Sequence, residues 1–395
     1  MRIHNFIPAL LAAFALTCAT APAQTVKIGM INTYSGPLAA AGEQMDRGAK
    51  LYMKLHEKDL PPGVTIELIK RDDTGPNPEV AKRLAQELIT RDKAQLLTGV
   101  IWTPNALAMA PLLTEAKVPF VIMNAGTAMI TTKSPYIARV SFTLWQSNYL
   151  LGTWAAKNGL KNVYTLVSDF APGIDSETAF TKAFTDAGGA IAGAVRMPVT
   201  TVDFAPFLQR AQDAKPDAVF CFVPAAKQAT GFMKAFGELG MKAAGIKLIG
   251  PGDLTTDEEL NGMGDPAIGT ITMHHYSAAG DRPANKAFVA AYQAEFGAKE
   301  EPSFVVADAY DAMAALYHVV IAQHGNIDPD KTMELLKGWK YDSPRGPIEI
   351  DPETRDIVQN EYLRRVDKVD GQLRNTELET IPMVKDPWKE LNKAK

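Results

Sequence analysis

Residues Thr98–Thr127 read TGVIWTPNALAMAPLLTEAKVPFVIMNAGT. The apolar run Gln95–Val100 that leads into them suits a buried parallel strand, and Ala106–Ala116 is rich in Ala and Leu at helical spacing. Val118–Met123 repeats the strand signal. Each strand opens into a small polar turn, with Trp102, Thr103 and Asn105 in the first and Asn124, Ala125, Gly126 and Thr127 in the second. In open α/β sheets ligands sit beyond the carboxyl ends of the strands. Two successive strand ends carrying hydroxyls, an indole and backbone N–H groups therefore predict one wall of a binding site. For either turn alone, an ordinary αβ connection is the simpler account.

The same rhythm extends outward. Val26–Ile31 is a strand, a helix follows to Leu60, and Pro61-Pro62-Gly63 breaks it before the strand Val64–Lys70. Pro78 starts a helix that runs to about Arg91, and Tyr136–Val140 is a further strand. A second βα series follows, with helices at Leu144–Asn158, Ser176–Ala187 and Phe204–Ala214. Its strands are Asn162–Val167, Ala190–Met197, Ala218–Val223 and Lys247–Gly250. Alternation of this kind means parallel sheets, and two runs of it predict two doubly wound lobes. After His275 come the helices Pro283–Phe296, Ser303–His324 and Asp330–Leu336, expected to return to the first lobe. Gly346–Ile350 and Val358–Val366 read as a strand pair joined by the turn Asp351–Asp356, the second of them belonging to the second lobe.

A chain of 395 residues is too long for one compact core. Its net charge of −4, with no clustered basic helix, leaves no electrostatic footprint for nucleic acid. Arg2 and His4 precede the apolar run Phe6–Ala19, and Ala21-Pro22-Ala23 follows as a small-x-small cleavage site. Residues 1–23 are therefore expected to be a signal peptide, too short to span a membrane. The remaining cysteine, Cys221, sits within an apolar strand and can form no internal disulfide. Export without disulfides fits the bacterial periplasm.

Several local sequences, in order, resemble the type I periplasmic binding proteins, and among them the leucine/isoleucine/valine-binding-like receptors of ABC importers. They are Ile28-Gly29 running into Ser35-Gly36-Pro37 and Gly42, then Asp72-Asp73, Gly99, Pro111, Val118-Pro119 and Asn124–Thr127. The second half adds Asp169 with Gly173, Asp203-Phe204, Pro216-Asp217-Ala218, Leu239-Gly240 and Asp308–Ala312. The resemblance implies an α/β protein of two doubly wound parallel-sheet lobes joined by a multi-strand hinge. Lobe 1 would be residues 24–143 and 276–352, and lobe 2 residues 144–275 and 353–395. Hinge closure on a small ligand would present the closed form to a membrane permease.

The resemblance also carries residues. A ligand carboxylate would be held by Thr103, with Asn105, and by the turn Asn124, Ala125, Gly126 and Thr127, where neutral donors and backbone N–H groups need no buried counter-charge. Tyr34 and Ser35 would complete this wall. On the second lobe the cleft would be formed by Phe170, Pro172, Val223, Pro224, Gly252 and Asp253. Here the chain departs from an amino-acid receptor. Phe170, Pro172 and Pro224 stand where aromatic hydroxyls are usual, and Gly252 stands where an acid meets the ligand's ammonium, with Asp253 one place along. If Asp253 points away, an ammonium would lack its partner and be costly to bury. Trp102 offers a flat apolar face with one N–H donor. These departures lean toward the aromatic-acid-binding branch and a benzoate- or cinnamate-type ligand, the alternative being a branched-chain amino acid.

Other chemistry is sparse. No Gly-x-Ser-x-Gly elbow, phosphate loop or His-Glu-x-x-His occurs. His274-His275 follows a strand, whose alternation would separate the two rings. Glu258-Glu259 reads as a solvated first turn of a helix. No enzyme activity, cofactor or metal is expected, and the protein is expected to be a monomer. A periplasmic sensor built on the same fold is the other function class left open.

Overall fold

The computed structural model describes residues 24–36 and 38–393; the predicted leader, residues 1–23, lies outside them. Five parallel strands form the first sheet: β1 (Gln24–Asn32), β2 (Val64–Asp72), β3 (Leu96–Gly99), β4 (Phe120–Ile122) and β5 (Ile137–Arg139), in the order β2-β1-β3-β4-β5. The second sheet repeats this winding with β6 (Asn162–Ser168), β7 (Ala190–Met197), β8 (Ala218–Phe222), β9 (Lys247–Pro251) and β10 (Ile271–His274), in the order β7-β6-β8-β9-β10. Each order reverses at one point, between β1 and β3 and between β6 and β8. Ligand crevices form outside the carboxyl ends of strands at such points.

Four antiparallel strands extend the second sheet: β11 (Lys340–Ser343), β12 (Gly346–Ile350), β13 (Ile357–Val369) and β14 (Gln372–Val384). β13 pairs with β10, β12 and β14 along different parts of its length. A lobe boundary at residue 352 thus falls inside this hydrogen-bonded set. Strands β11 and β14 carry no apolar run and were not predicted. In β14 the segment Gln372–Ile381 buries only Leu373 and Asn375, and it is held by its hairpin to β13.

The helix Phe304–Ala322 is long and apolar enough to cross a membrane by composition, yet nearly all of it is buried in the core. It packs on the helix Ala39–His56, where Tyr52 meets Tyr310 and Tyr317 edge-on at centroid distances of 4.8 and 5.1 Å. Two helices start earlier than expected, at Thr103 and Ala171, each with a proline in its first turn. Residues expected in polar loops therefore occupy first helical turns.

Candidate ligand-binding site

The loops leaving both reversal points face one cavity. From the first sheet's side it is lined by Leu38, Ile101, Trp102, Asn124 and Gly126. From the second come Phe170, Pro172, Phe222, Pro224 and Asp253, and Phe142, Leu144, Phe304 and Val305 fill the remaining wall. Phe170 bridges the two sides, its ring 6.3 Å from Trp102 and 6.1 Å from Phe222. Phe142 meets Phe304 edge-on at 5.6 Å. Five aromatic rings thus surround a space with few polar groups.

The turn after β3 is forced into place. Gly99 has φ +103°, and a Cβ there would lie 2.2 Å from the Ile31 carbonyl oxygen. Val100 follows at φ +64°, a conformation costly for a β-branched residue, by about 1–3 kcal/mol. It is held there because its N–H donates to Ile31 O and its carbonyl accepts from Ala125 N–H. This sharp turn delivers Trp102 to the cavity. Trp102 is buried, and its Nε1–H donates to Thr33 Oγ1 at 3.0 Å. The donor expected to serve a ligand is therefore spent on fixing the ring, which leaves the indole face for apolar contact.

The second turn, Asn124–Ala128, is ordered by Arg139, which sequence reading missed. Arg139 is fully buried and donates to the carbonyl oxygens of Ala125 (2.8 Å), Thr127 (3.0 Å) and Ala128 (3.4 Å). Because a trans peptide points its N–H opposite its carbonyl, drawing Ala125 O toward Arg139 turns Gly126 N–H the other way. Ala128 N–H, opposed in the same manner to Thr127 O, donates to Asp175 Oδ2 on the helix Ala171–Asp186. Among the described residues, the N–H groups of Trp102, Thr103, Gly126 and Thr127 donate to no protein acceptor. The Thr103 and Thr127 hydroxyls are buried and hydrogen-bonded to one another at 2.9 Å.

Of the expected site residues, Trp102, Asn124, Gly126, Phe170, Pro172, Pro224 and Asp253 line the cavity. The structure does not bring the others into its lining. Thr103, Ala125 and Thr127 are buried in the two turns. Asn105 Nδ2 donates to Asp73 Oδ2 and Gly75 O, so it braces a turn in which Asp73 also accepts from Thr33 Oγ1. Ser35 is exposed, and the Tyr34 ring lies under Lys70 Nζ at 5.8 Å, toward the β2 edge. Val223 is buried in the second lobe's core, and Gly252 packs against His274, where a Cβ would lie 2.2 Å from the ring. Pleat direction explains Val223: it follows the last residue of β8, and its neighbours Phe222 and Pro224 take the two cavity positions.

Two further expectations are corrected. The His274 and His275 rings are together, 4.2 Å apart, because β10 ends at His274 and the alternation ends with it. Glu258 is half-buried with Oε2 sealed from solvent, and burial pushes its carboxyl up to about 8. Cys221 is buried as expected.

The profile of the family described as "Periplasmic binding protein" matches residues 25–372. The Leu/Ile/Val-binding protein homolog 6 of Brucella melitensis is 43% identical over 378 residues, covering 95% of this chain and 97% of that protein. A solute-binding protein of an ABC transporter from Rhodopseudomonas palustris BisB5, solved with 3,4-dihydroxybenzoic acid, superimposes with a TM-score of 0.89 and 51% identity. That match covers 92% of this chain and 99% of the other. A solute-binding protein from R. palustris solved with 4-hydroxybenzoate matches with the same TM-score and coverage at 44% identity.

Proposed function

The chain belongs to the periplasmic binding protein family, and from that premise we propose that it captures a single-ring aromatic carboxylate for an ABC importer. The observation that carries this reading is the ring-lined cavity, where Trp102, Phe142, Phe170, Phe222 and Phe304 surround a space edged by an anion-suited turn. Flat aromatic ligands gain from offset and edge-on contact with such rings beyond the burial of their area. The solute-binding proteins solved with hydroxybenzoates are similar over the same span. Closure would bring the two lobes, residues 24–143 with 276–352 and 144–275 with 353–395, together around the ring. The protein would act as a monomer after export by its leader, without chemistry of its own and without nucleic acid.

The ligand carboxylate is assigned to the paired turns, with the N–H groups of Thr103, Gly126 and Thr127 and the two threonine hydroxyls as its donors and Thr103 opening a helix. Their shared hydrogen bond would re-aim toward the anion. Replacing Thr103 or Thr127 by Val is expected to weaken binding of an aromatic acid by about 1–3 kcal/mol, the scale for leaving a charged group short of a donor. Calorimetric affinities equal to the parent's in both variants would place the carboxylate elsewhere.

A thermal-shift and calorimetric screen of benzoate, 4-hydroxybenzoate, 3,4-dihydroxybenzoate and cinnamate beside leucine, isoleucine and valine tests the ligand class. A ligand at 100 times its Kd is expected to stabilise the fold by about 2.7 kcal/mol. Aromatic acids should stabilise the protein and the amino acids should not; binding of the aliphatic amino acids alone would reverse the reading.

A further inference from the structure

Asp253 is an orphan at the edge of the ring-lined cavity. It sits in the short turn Gly252–Thr255 after β9 and lines the cavity, yet its Oδ2 is buried and accepts no hydrogen bond among the described residues. Its neighbour is His274, whose Nε2 lies 4.0 Å away, beyond hydrogen-bond range. Neither ring nitrogen of His274 has a partner among the described residues, and the ring is almost wholly buried. The imidazole cannot easily move to close the gap. It is wedged against Gly252, with His275 at 4.2 Å, Phe304 edge-on at 4.6 Å and Phe142 at 5.7 Å. Two unsatisfied polar groups therefore stand side by side, Asp253 in the cavity lining and His274 buried next to it, where an unmade hydrogen bond is costly.

We propose that Asp253 and His274 together bind a hydroxyl group carried on the ligand's ring, and so select hydroxylated aromatic acids over unsubstituted ones. The inference rests on the reading above that the ligand is an aromatic acid. An oxygen about 2.8 Å from both Asp253 Oδ2 and His274 Nε2 fits their 4.0 Å separation. Such an oxygen can donate its proton to the carboxylate while accepting from the imidazole N–H.

The electrostatics favour a neutral hydroxyl over the ammonium of an amino acid. Arg364 is buried beside the site; its Nη2 has no partner among the described residues and lies 2.5 Å from where a Cβ on Gly252 would stand. Burial first, then His275 and Arg364 at His274, and Arg345 and Arg364 at His275, hold both imidazoles well below their ordinary range. An ammonium in the same place would meet the same field. Burial also pushes the Asp253 carboxyl up to about 7, with Arg364 opposing and Asp308 adding to the rise. A hydroxyl can pair with either form of the carboxyl, whereas an ammonium needs the ionised one.

The test is calorimetry on the mature protein with benzoate, 4-hydroxybenzoate, 3,4-dihydroxybenzoate and leucine, repeated on Asp253→Ala and Asp253→Asn. The parent should bind the best hydroxylated acid at least tenfold tighter than benzoate. Asp253→Ala should collapse that ratio to within about threefold, and Asp253→Asn, which keeps an acceptor, should recover part of it. If Asp253→Ala fails to fold by circular dichroism, the ratio in Asp253→Asn decides. A ratio preserved in the variants, or a parent with no preference, overturns the hydroxyl assignment while leaving an aromatic-acid receptor intact. Binding of leucine with no aromatic acid bound would overturn that broader reading as well, and loss of leucine in Asp253→Ala would then assign the carboxylate to an ammonium.

Discussion

Replacement of Arg139 by Met is expected to lower the unfolding free energy by about 3–5 kcal/mol, the scale for breaking a buried ion pair by removing one partner. The reason lies in what Arg139 holds. Its Nε donates to Asp356 Oδ1 at 2.7 Å, both side chains being sealed from solvent, and Lys389 from the short C-terminal helix Pro387–Leu391 pairs with the same carboxylate. Burial alone would raise the Asp356 carboxyl, but Arg139 and Lys389 hold it below its usual range. Removing the guanidinium leaves Asp356 with one cation and strips the donor from the carbonyls of Ala125, Thr127 and Ala128. The turn that presents Gly126 to the cavity would then lose its orientation, so affinity for an aromatic acid should fall at least tenfold in the same variant. Denaturant unfolding followed by circular dichroism measures the first effect and calorimetry the second. A stability loss under about 1 kcal/mol would show that the turn is held by something else.

Trp102→Ala carries the largest expected effect on recognition, a loss of about 2–3 kcal/mol in aromatic-acid affinity, the range of a central aromatic hot spot. Two contributions add. The indole lines the cavity beside Phe170, and its loss removes that apolar surface. Trp102 also separates the cavity from an outer groove formed with Val199, Val202, Phe204 and Lys227, to which Leu38 and Pro224 also contribute. With Ala the two spaces merge and water reaches the ring. Trp102→Phe should keep most of the affinity, because a ring is retained even though the bond to Thr33 is lost. Equal affinities for the parent and Trp102→Ala would mean that the ligand ring binds away from this wall.

Arg345 plays on the other side of the cavity the part that Arg139 plays on the first. Fully buried, it donates to Asp311 Oδ2 at 2.6 Å and to the carbonyls of Val140 and Ser141, where the chain crosses from β5 toward the helix Leu144–Lys157. Asp311 stands on the helix that begins with Phe304. One guanidinium therefore fixes the segment carrying Phe142 relative to the helix carrying Phe304, and so sets the edge-on pair at the cavity wall.

By itself the sequence determined the parallel α/β alternation, the two series of βα units and the strand ends where a site must form. Those signals are local: apolar periodicity, prolines at helix starts and small polar turns each act within a few residues. The same locality explains why Trp102, Asn124 and Gly126 could be read as site residues from their places after strands, whereas Phe170, Pro172, Pro224 and Asp253 came from the family resemblance; all seven line the cavity. Only the tertiary structure decided that Phe142, Phe222 and Phe304 turn into the same space, since an apolar residue on a core strand or helix looks alike in sequence whichever neighbour it meets. The tertiary structure alone also paired Thr103 with Thr127, turned Tyr34 toward Lys70, and set Arg139 and Arg345 beneath the turns they hold. Buried charges find partners far along the chain, and no spacing rule connects Arg139 with Asp356 or Asp253 with His274. Strand order brings those residues together, and the chemistry of the site follows from that meeting.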